Sequence, residues 1–287
     1  MGWKTILTLA LPFVSALTPS KGCTKTTAPA IASGNQTLTV NAKSRWYLLN
    51  PPKSYSAAVP HRLVFTLHAM GGNADQVRAG TGGYLPWYGF PALDVASEAT
   101  NNTIYVSPNG LNAGWANTGG EDVTLITTIR SQILADYCVD EDLVFSVGFS
   151  YGASMSWALA CGAPGLFRAV GLQSGGAMSG CAGGALKQPT AMYGQHGVDG
   201  DLNIASARGI RDQFVKMNGC AAPTGDEAVV LEKGSGTHKK VEYKGCQAGF
   251  PVTWIEYDGG HTPQPKDKGA AATWAGEEVW KFFAQFK

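Results

Sequence analysis

The stretch "LVFSVGFSYGASMSWALA" (residues 143–160) decides how this chain folds. An apolar run climbs to Ser150, which stands between two glycines in Gly148-Phe149-Ser150-Tyr151-Gly152, and a small-residue, helix-like segment leaves it. A bare G-x-S-x-G says little in a chain with 37 glycines. Its setting says more, because a nucleophile elbow demands strand, sharp turn and helix in that order. Such a turn strains the serine backbone, so the residues two before and two after must be small for strand and helix to approach. The helix that follows aims its N-terminus at the reacting oxygen. Ser150 is therefore a candidate nucleophile, weighed against one more serine in a glycine-rich chain.

A nucleophilic serine needs a base, and the base needs an acid to hold it. In this kind of fold the chain order is Ser, then Asp or Glu, then His. Of the five histidines, His238 and His261 lie well beyond Ser150 and past a plausible acid. His261 follows the last apolar strand in Asp258-Gly259-Gly260-His261, where a Gly-Gly turn can swing an imidazole over the sheet edge. His238 sits in a polar segment and is expected to be a solvated loop residue. The acid should follow the preceding strand, in "QHGVDGDLNI", where Asp199 and Asp201 both qualify. Asp212 falls well inside a helix, and Asp258 is too near His261 in sequence to orient it. An oxyanion hole takes two backbone N–H groups. Tyr151 should give one and Met70, in "LVFTLHAMGGN", the other, with Ala69 the next choice for that second donor.

Around these residues strands and helices alternate. "QTLTVNAKSRWYLLNPP" reads as a hairpin turning at residues 41–44. Strands are expected at 62–69, 103–108, 142–149, 167–174, 189–197 and 250–260, and helices at 121–137, 151–161, 204–218 and 272–286. That alternation predicts an α/β fold with a mostly parallel central sheet and helices on both faces. Residues 219–249 read as a polar insertion. Tyr and Trp in "GGYLPWYGF" (82–90) either line an aromatic pocket or pack in the core.

The 287 residues suit a single large domain, with 44% hydrophobic and only 15% charged residues. Net charge is +1, and Lys and Arg are scattered, which excludes a nucleic-acid face and a polybasic membrane patch. Residues 1–16 carry Lys4, an apolar stretch too short to span a bilayer and Val14-Ser15-Ala16, as a secretory signal does. Residues 17–287 would then be one catalytic domain, with no carbohydrate-binding module. All six cysteines lie beyond the signal, which suggests three disulfides, and Cys220 with Cys246 would staple the polar insertion. Sequons at Asn35 and Asn101 fit the same route. No metal spacing and no phosphate loop is present, so no metal or cofactor is expected.

The segments "LVFTLHAMGG", "GLNAGWANTGGEDV", "CVDEDLVFSVGFSYGASMSWALAC", "GCAGG", "YGQHGV", "RDQFVKMNGC", "GSGTH", "GCQAGFPVTWIEYDGGHTP" and "EEVWKFF" together resemble the secreted fungal feruloyl esterases of types C and D. These stand in the carbohydrate esterase group with acetyl xylan esterases and polyhydroxyalkanoate depolymerase-like enzymes. The resemblance covers about residues 17–287. It implies an α/β-hydrolase fold and cleavage of hydroxycinnamoyl esters on arabinoxylan or pectin; the scattered charge argues against nucleic-acid or membrane partners, and no obligate protein partner is evident. By position, Ser150 matches the family nucleophile and His261 its base. The family acid follows His-Gly after two residues and precedes a Leu-Pro-Ile-like run. Asp199 keeps Leu202 and Ile204 at the expected offsets, but one residue is missing before it and Asn203 replaces the proline. Asp199 is the expected acid, with Asp201 therefore kept as the alternative. An acetyl xylan esterase with the same triad, and an inactive sugar-binding homologue, are the alternatives.

Overall fold

The computed structural model describes residues 17–97, 102–200, 202–228 and 230–287. The expected signal segment, the sequon asparagine Asn101 and Asp201 lie outside the described residues.

Among the described residues nine strands form one sheet in the order β1-β2-β4-β3-β5-β6-β7-β9-β8. The hairpin joins β1 (Gly34–Val40) to β2 (Lys43–Asn50). Its two turn residues, Asn41 and Ala42, both take positive φ, as a type I′ turn requires. β3 (His61–Leu67), β4 (Thr103–Pro108), β5 (Val139–Phe149), β6 (Ala169–Gln173), β7 (Ala191–Gly197) and β9 (Val252–Tyr257) run parallel. β1, β2 and β8 (His238–Glu242) add antiparallel pairs at the two edges.

Two hydrophobic layers flank the sheet. On one face pack α3 (Glu121–Asp136), α4 (Tyr151–Gly162) and α5 (Ile204–Met217), through residues such as Ile129, Trp157 and Phe214. On the other pack α1 (Ala74–Ala79), α2 (Phe90–Ser97) and α6 (Ala275–Ala284), through Val77, Phe90 and Phe283. Adjacent residues of β3 feed opposite layers, Leu63 and Phe65 into the first and Val64 into the second, as the two-residue strand period dictates. Disulfides join Cys23 to Cys138, Cys161 to Cys181 and Cys220 to Cys246. No helix of the described residues is long and apolar enough to cross a membrane.

Two sequence expectations need correction, and one open alternative is resolved. The polar insertion contains β8, an edge strand whose charged side chains (His238, Lys239, Lys240, Glu242) conceal it, since only Val241 faces the core. His238 is accordingly no solvated loop residue: its Nδ1 bonds the Asp267 carboxylate at 2.8 Å and its ring lies on Trp274. The segment 82–90 is core, with Tyr84, Trp87, Tyr88 and Phe90 all buried. Asn203, the residue in place of the family proline, has a structural use: its side chain accepts from Ala205 N and caps α5.

Candidate active site

Ser150 stands where β5 ends and α4 begins, with φ 56° and ψ −117°. That conformation is costly for a residue with a Cβ and survives only where its surroundings over-determine it. They do so here. Ser150 N donates to Gln173 O at 2.9 Å, fixing the turn to β6, and Ser154 N donates back to Ser150 O at 3.0 Å, opening the helix. The two motif glycines are sterically required: a Cβ on Gly148 would sit 2.2 Å from the Gly152 carbonyl carbon, and one on Gly152 2.2 Å from Leu67 O. Ser150 is left only 9% exposed, and Tyr151 N opens the first turn of α4.

His261 comes from the loop after β9, three strands along the sheet from β5. Its ring lies against that of Phe149, with centroids 4.5 Å apart, and its Nδ1 is shut off from solvent. Tyr257 fixes the loop from both sides of the histidine. Its hydroxyl donates to Gly260 O at 3.0 Å and lies 3.3 Å from Thr262 O, while Ser174 Oγ stands 2.9 Å from the same oxygen. Burial pushes the Tyr257 phenol up, so it stays a neutral donor.

The turn after β7 rests on the His261 loop: Val198 N donates to Tyr257 O at 2.9 Å and Asp199 N to Gly259 O at 3.1 Å. This is where an acid was expected, yet the Asp199 carboxylate turns outward. Its Oδ1 accepts from Lys233 Nζ at 2.8 Å, with more than half of the side chain exposed. Asp212 pairs with Arg211, and Asp258 accepts from Gly234 N and Gly236 N.

The loop after β3 supplies the opposite wall. Its backbone donors are largely taken: Ala69 N by Tyr84 Oη (2.7 Å), Gly71 N by Ala113 O (2.8 Å) and Gly72 N by Ala69 O (3.1 Å). Among the described residues no such bond takes up the N–H of Met70 between them, while the Met70 side chain is 65% exposed. Ala69, the other choice for this donor, has its N–H already bonded to Tyr84 Oη. Beneath the loop His68 is fully buried. Its Nδ1 donates to Ala69 O at 2.8 Å and its Nε2 accepts from Gly110 N at 3.0 Å, which defines a neutral imidazole. Burial pushes its pKa down to about 4. Trp115 Nε1 donates to His68 O at 2.7 Å and completes the frame.

The residues around the candidate site that sequence reasoning missed are Tyr84, Tyr257 and His68, which hydrogen-bond the backbone of its loops, and Tyr88, whose hydroxyl accepts from Phe149 N at 2.8 Å and donates to Leu67 O at 2.7 Å at the ends of β5 and β3. No motif spacing marks them. No group of His, Cys, Asp and Glu among the described residues could hold a metal ion.

A strand, a strained serine and a helix at the carboxyl edge of a parallel sheet, followed in chain order by a histidine after the last parallel strand, are the architecture of the α/β-hydrolase fold. The acetyl xylan esterase from Aspergillus awamori shares that fold, with a TM-score of 0.61 at 15% identity over 88% of this chain and 99% of its own. A ferulic acid esterase shares it with a TM-score of 0.56, again at 15% identity, over 88% and 97%. The family Esterase PHB depolymerase matches residues 45–212. Feruloyl esterase D of Neurospora crassa is 43% identical over 288 residues, covering 98% of this chain and 95% of its own. Feruloyl esterase C of Emericella nidulans is 40% identical over 288 residues, 98% of each chain. The chain thus belongs to the PHB depolymerase esterase family, as a carboxylic ester hydrolase beside the type C and D feruloyl esterases.

Proposed function

We propose that this chain is a secreted, single-domain serine esterase that releases hydroxycinnamic acids from feruloylated arabinoxylan or pectin. The relatives' feruloyl esterase activity supports the substrate. The observation that supports the mechanism is a strained Ser150 at the β5–α4 turn, with His261 packed on the ring of Phe149, the residue just before it. Ser150 Oγ attacks the ester carbonyl carbon while His261 takes its proton. The N–H groups of Met70 and Tyr151 bind the oxyanion that forms. Collapse expels the sugar alkoxide, which takes the proton from the imidazolium. Water, losing its proton to His261, then attacks the acyl-enzyme, and the free acid leaves as Ser150 regains its hydrogen. These steps balance with water alone.

The carboxylate that orients His261 comes, in this proposal, from the turn after β7. Asp201 is preferred to Asp199, because Asp199 is already paired with Lys233 in the open. Secretion is supported by the apolar leader at residues 1–16, by three disulfides and by the exposed Asn35 of the first sequon on β1.

Methyl ferulate, methyl caffeate and 4-nitrophenyl acetate, given to the wild type and to Ser150→Ala, test this. Cinnamate turnover that disappears in the variant is the expected result. Turnover of the acetate alone would make the protein an acetyl esterase. No turnover of any ester would leave a sugar-binding homologue.

A further inference from the structure

We propose that Tyr88 is a positioning residue whose hydroxyl, inserted into the end of the β3–β5 ladder, sets the gap between the nucleophile turn and the oxyanion wall. This role presupposes the assignment of Ser150, Met70 and Tyr151 made above.

β3 and β5 pair in parallel up to Leu67 opposite Gly148. Successive backbone amides of a strand point to opposite sides. Ser150 N points to β6, where it meets Gln173 O. Phe149 N therefore points to β3, and the next ladder acceptor there is Leu67 O. The two do not meet directly. Phe149 N donates to Tyr88 Oη at 2.8 Å, and Tyr88 Oη donates to Leu67 O at 2.7 Å. One ladder bond has been replaced by two in series through a single oxygen. The two backbone groups then stand roughly 4–5 Å apart instead of about 2.9 Å.

The position of this wedge gives it a function. One residue past Phe149 is Ser150, and three past Leu67 is Met70, so the splay opens where the nucleophile and the oxyanion donor diverge. Both backbone groups stay satisfied while buried. Leu67 O is also the atom that a Cβ on Gly152 would strike, so the same carbonyl is set by Tyr88 on one side and by the first turn of α4 on the other. The segment that delivers Tyr88 is itself strained: Trp87 (φ 50°) and Tyr88 (φ 62°) both lie in the left-handed region, which bulky residues avoid. A Cβ on Gly276 of α6 would come within 2.7 Å of Tyr88 O, so the helix holds the strained turn in place. Tyr84, from the same segment, takes the Ala69 N–H, while among the described residues no backbone bond takes that of Met70. A phenylalanine at 88 would fill the space and keep the core. It would lack the one atom that separates the strands.

Tyr88→Phe is compared with the wild type and with Phe283→Leu, a core change that loosens the stack on Phe145 without touching the ladder. Positioning predicts that kcat for methyl ferulate falls roughly tenfold or more in Tyr88→Phe, with KM within about twofold. It also predicts slower labelling of Ser150 by an aryl phosphonate in the same proportion, with kcat retained in Phe283→Leu. A kcat within about twofold of the wild type, or a change in KM alone, would overturn the role. Should Tyr88→Phe fail to fold, a crystal structure of the phosphonylated wild type decides: Tyr88 Oη bridging Phe149 N and Leu67 O supports the wedge, and direct contact of the two overturns it. Ser150→Ala, assayed alongside, keeps the two ideas separate. Its loss of activity with an unaffected Tyr88→Phe would sink only the wedge, while full activity in Ser150→Ala would remove the assignment beneath it.

Discussion

Phe149 and His261 pack ring against ring, 4.5 Å between centroids and 32° between planes, so the residue before the serine is also the seat of the histidine. Side-chain packing brings the end of β5 and the loop after β9 together. The hydrogen bonds of Tyr257 to the carbonyls on either side of His261 then hold the imidazole on that seat. Removing them should loosen the histidine without altering the pocket. Tyr257→Phe is expected to lower kcat roughly tenfold, the worth of about 1–2 kcal/mol of lost hydrogen bonding, with little change in KM. Steady-state kinetics on methyl ferulate check this, and an unchanged kcat would show that packing alone seats the histidine.

Met70 is assigned through its backbone only, which separates side chain from amide. Its side chain is 65% exposed, so Met70→Ala should leave kcat within about twofold, a surface change of the mildest kind. Met70→Pro removes the N–H itself and should cost roughly 100- to 1000-fold in kcat, as loss of one oxyanion donor does. Equal effects of the two substitutions would move the oxyanion hole elsewhere.

The two aspartates after β7 should separate cleanly. Asp199→Asn breaks an exposed ion pair with Lys233 and is expected to leave activity nearly unchanged, because such pairs are worth little. Asp201→Asn should lower kcat by about four orders of magnitude, the size of effect seen when a triad acid is neutralised. The reverse pattern in the kinetics would return the acid to Asp199.

Stability should fall in mild acid, and His68 is one reason. Its folded pKa is near 4, below the ordinary 6.5, so the unfolded chain binds a proton that the folded chain refuses. The contribution is fully present above about 6.5 and is lost as pH falls toward 4, on the order of 3 kcal/mol in all. His61 and His196, lowered chiefly by burial as well, act in the same direction. Urea midpoints at pH 7 and pH 4.5 should differ more for the wild type than for His68→Gln. An equal drop in both would assign the acid sensitivity to other groups.

Much of the sheet was legible because buried parallel strands are near-continuous apolar runs. β4 falls at residues 103–108 as expected, and β5 and α4 meet at Ser150 as the G-x-S-x-G spacing requires. Edge and short elements were not. β8 presents one core residue in five, and α1 has six residues, too few for a helical period to show. Ser150 and His261 were singled out as candidates through glycines and chain order. Sequence offsets to Leu202 and Ile204 favoured Asp199 over Asp201, and offsets cannot show that the Asp199 carboxylate turns outward to Lys233. The tyrosines stayed hidden for a different reason. Tyr84, Tyr88 and Tyr257 act on backbone groups far away in sequence, and nothing local distinguishes such a hydroxyl from an ordinary aromatic core residue.

The central claim is that Ser150 is the nucleophile. Treating the protein with an aryl organophosphonate, then mapping the modified peptide by mass spectrometry while following methyl ferulate turnover, tests it most directly. A single adduct on Ser150, forming in step with the loss of activity and absent from Ser150→Ala, is the predicted result. An adduct on another residue, or full turnover by protein modified at Ser150, would contradict it.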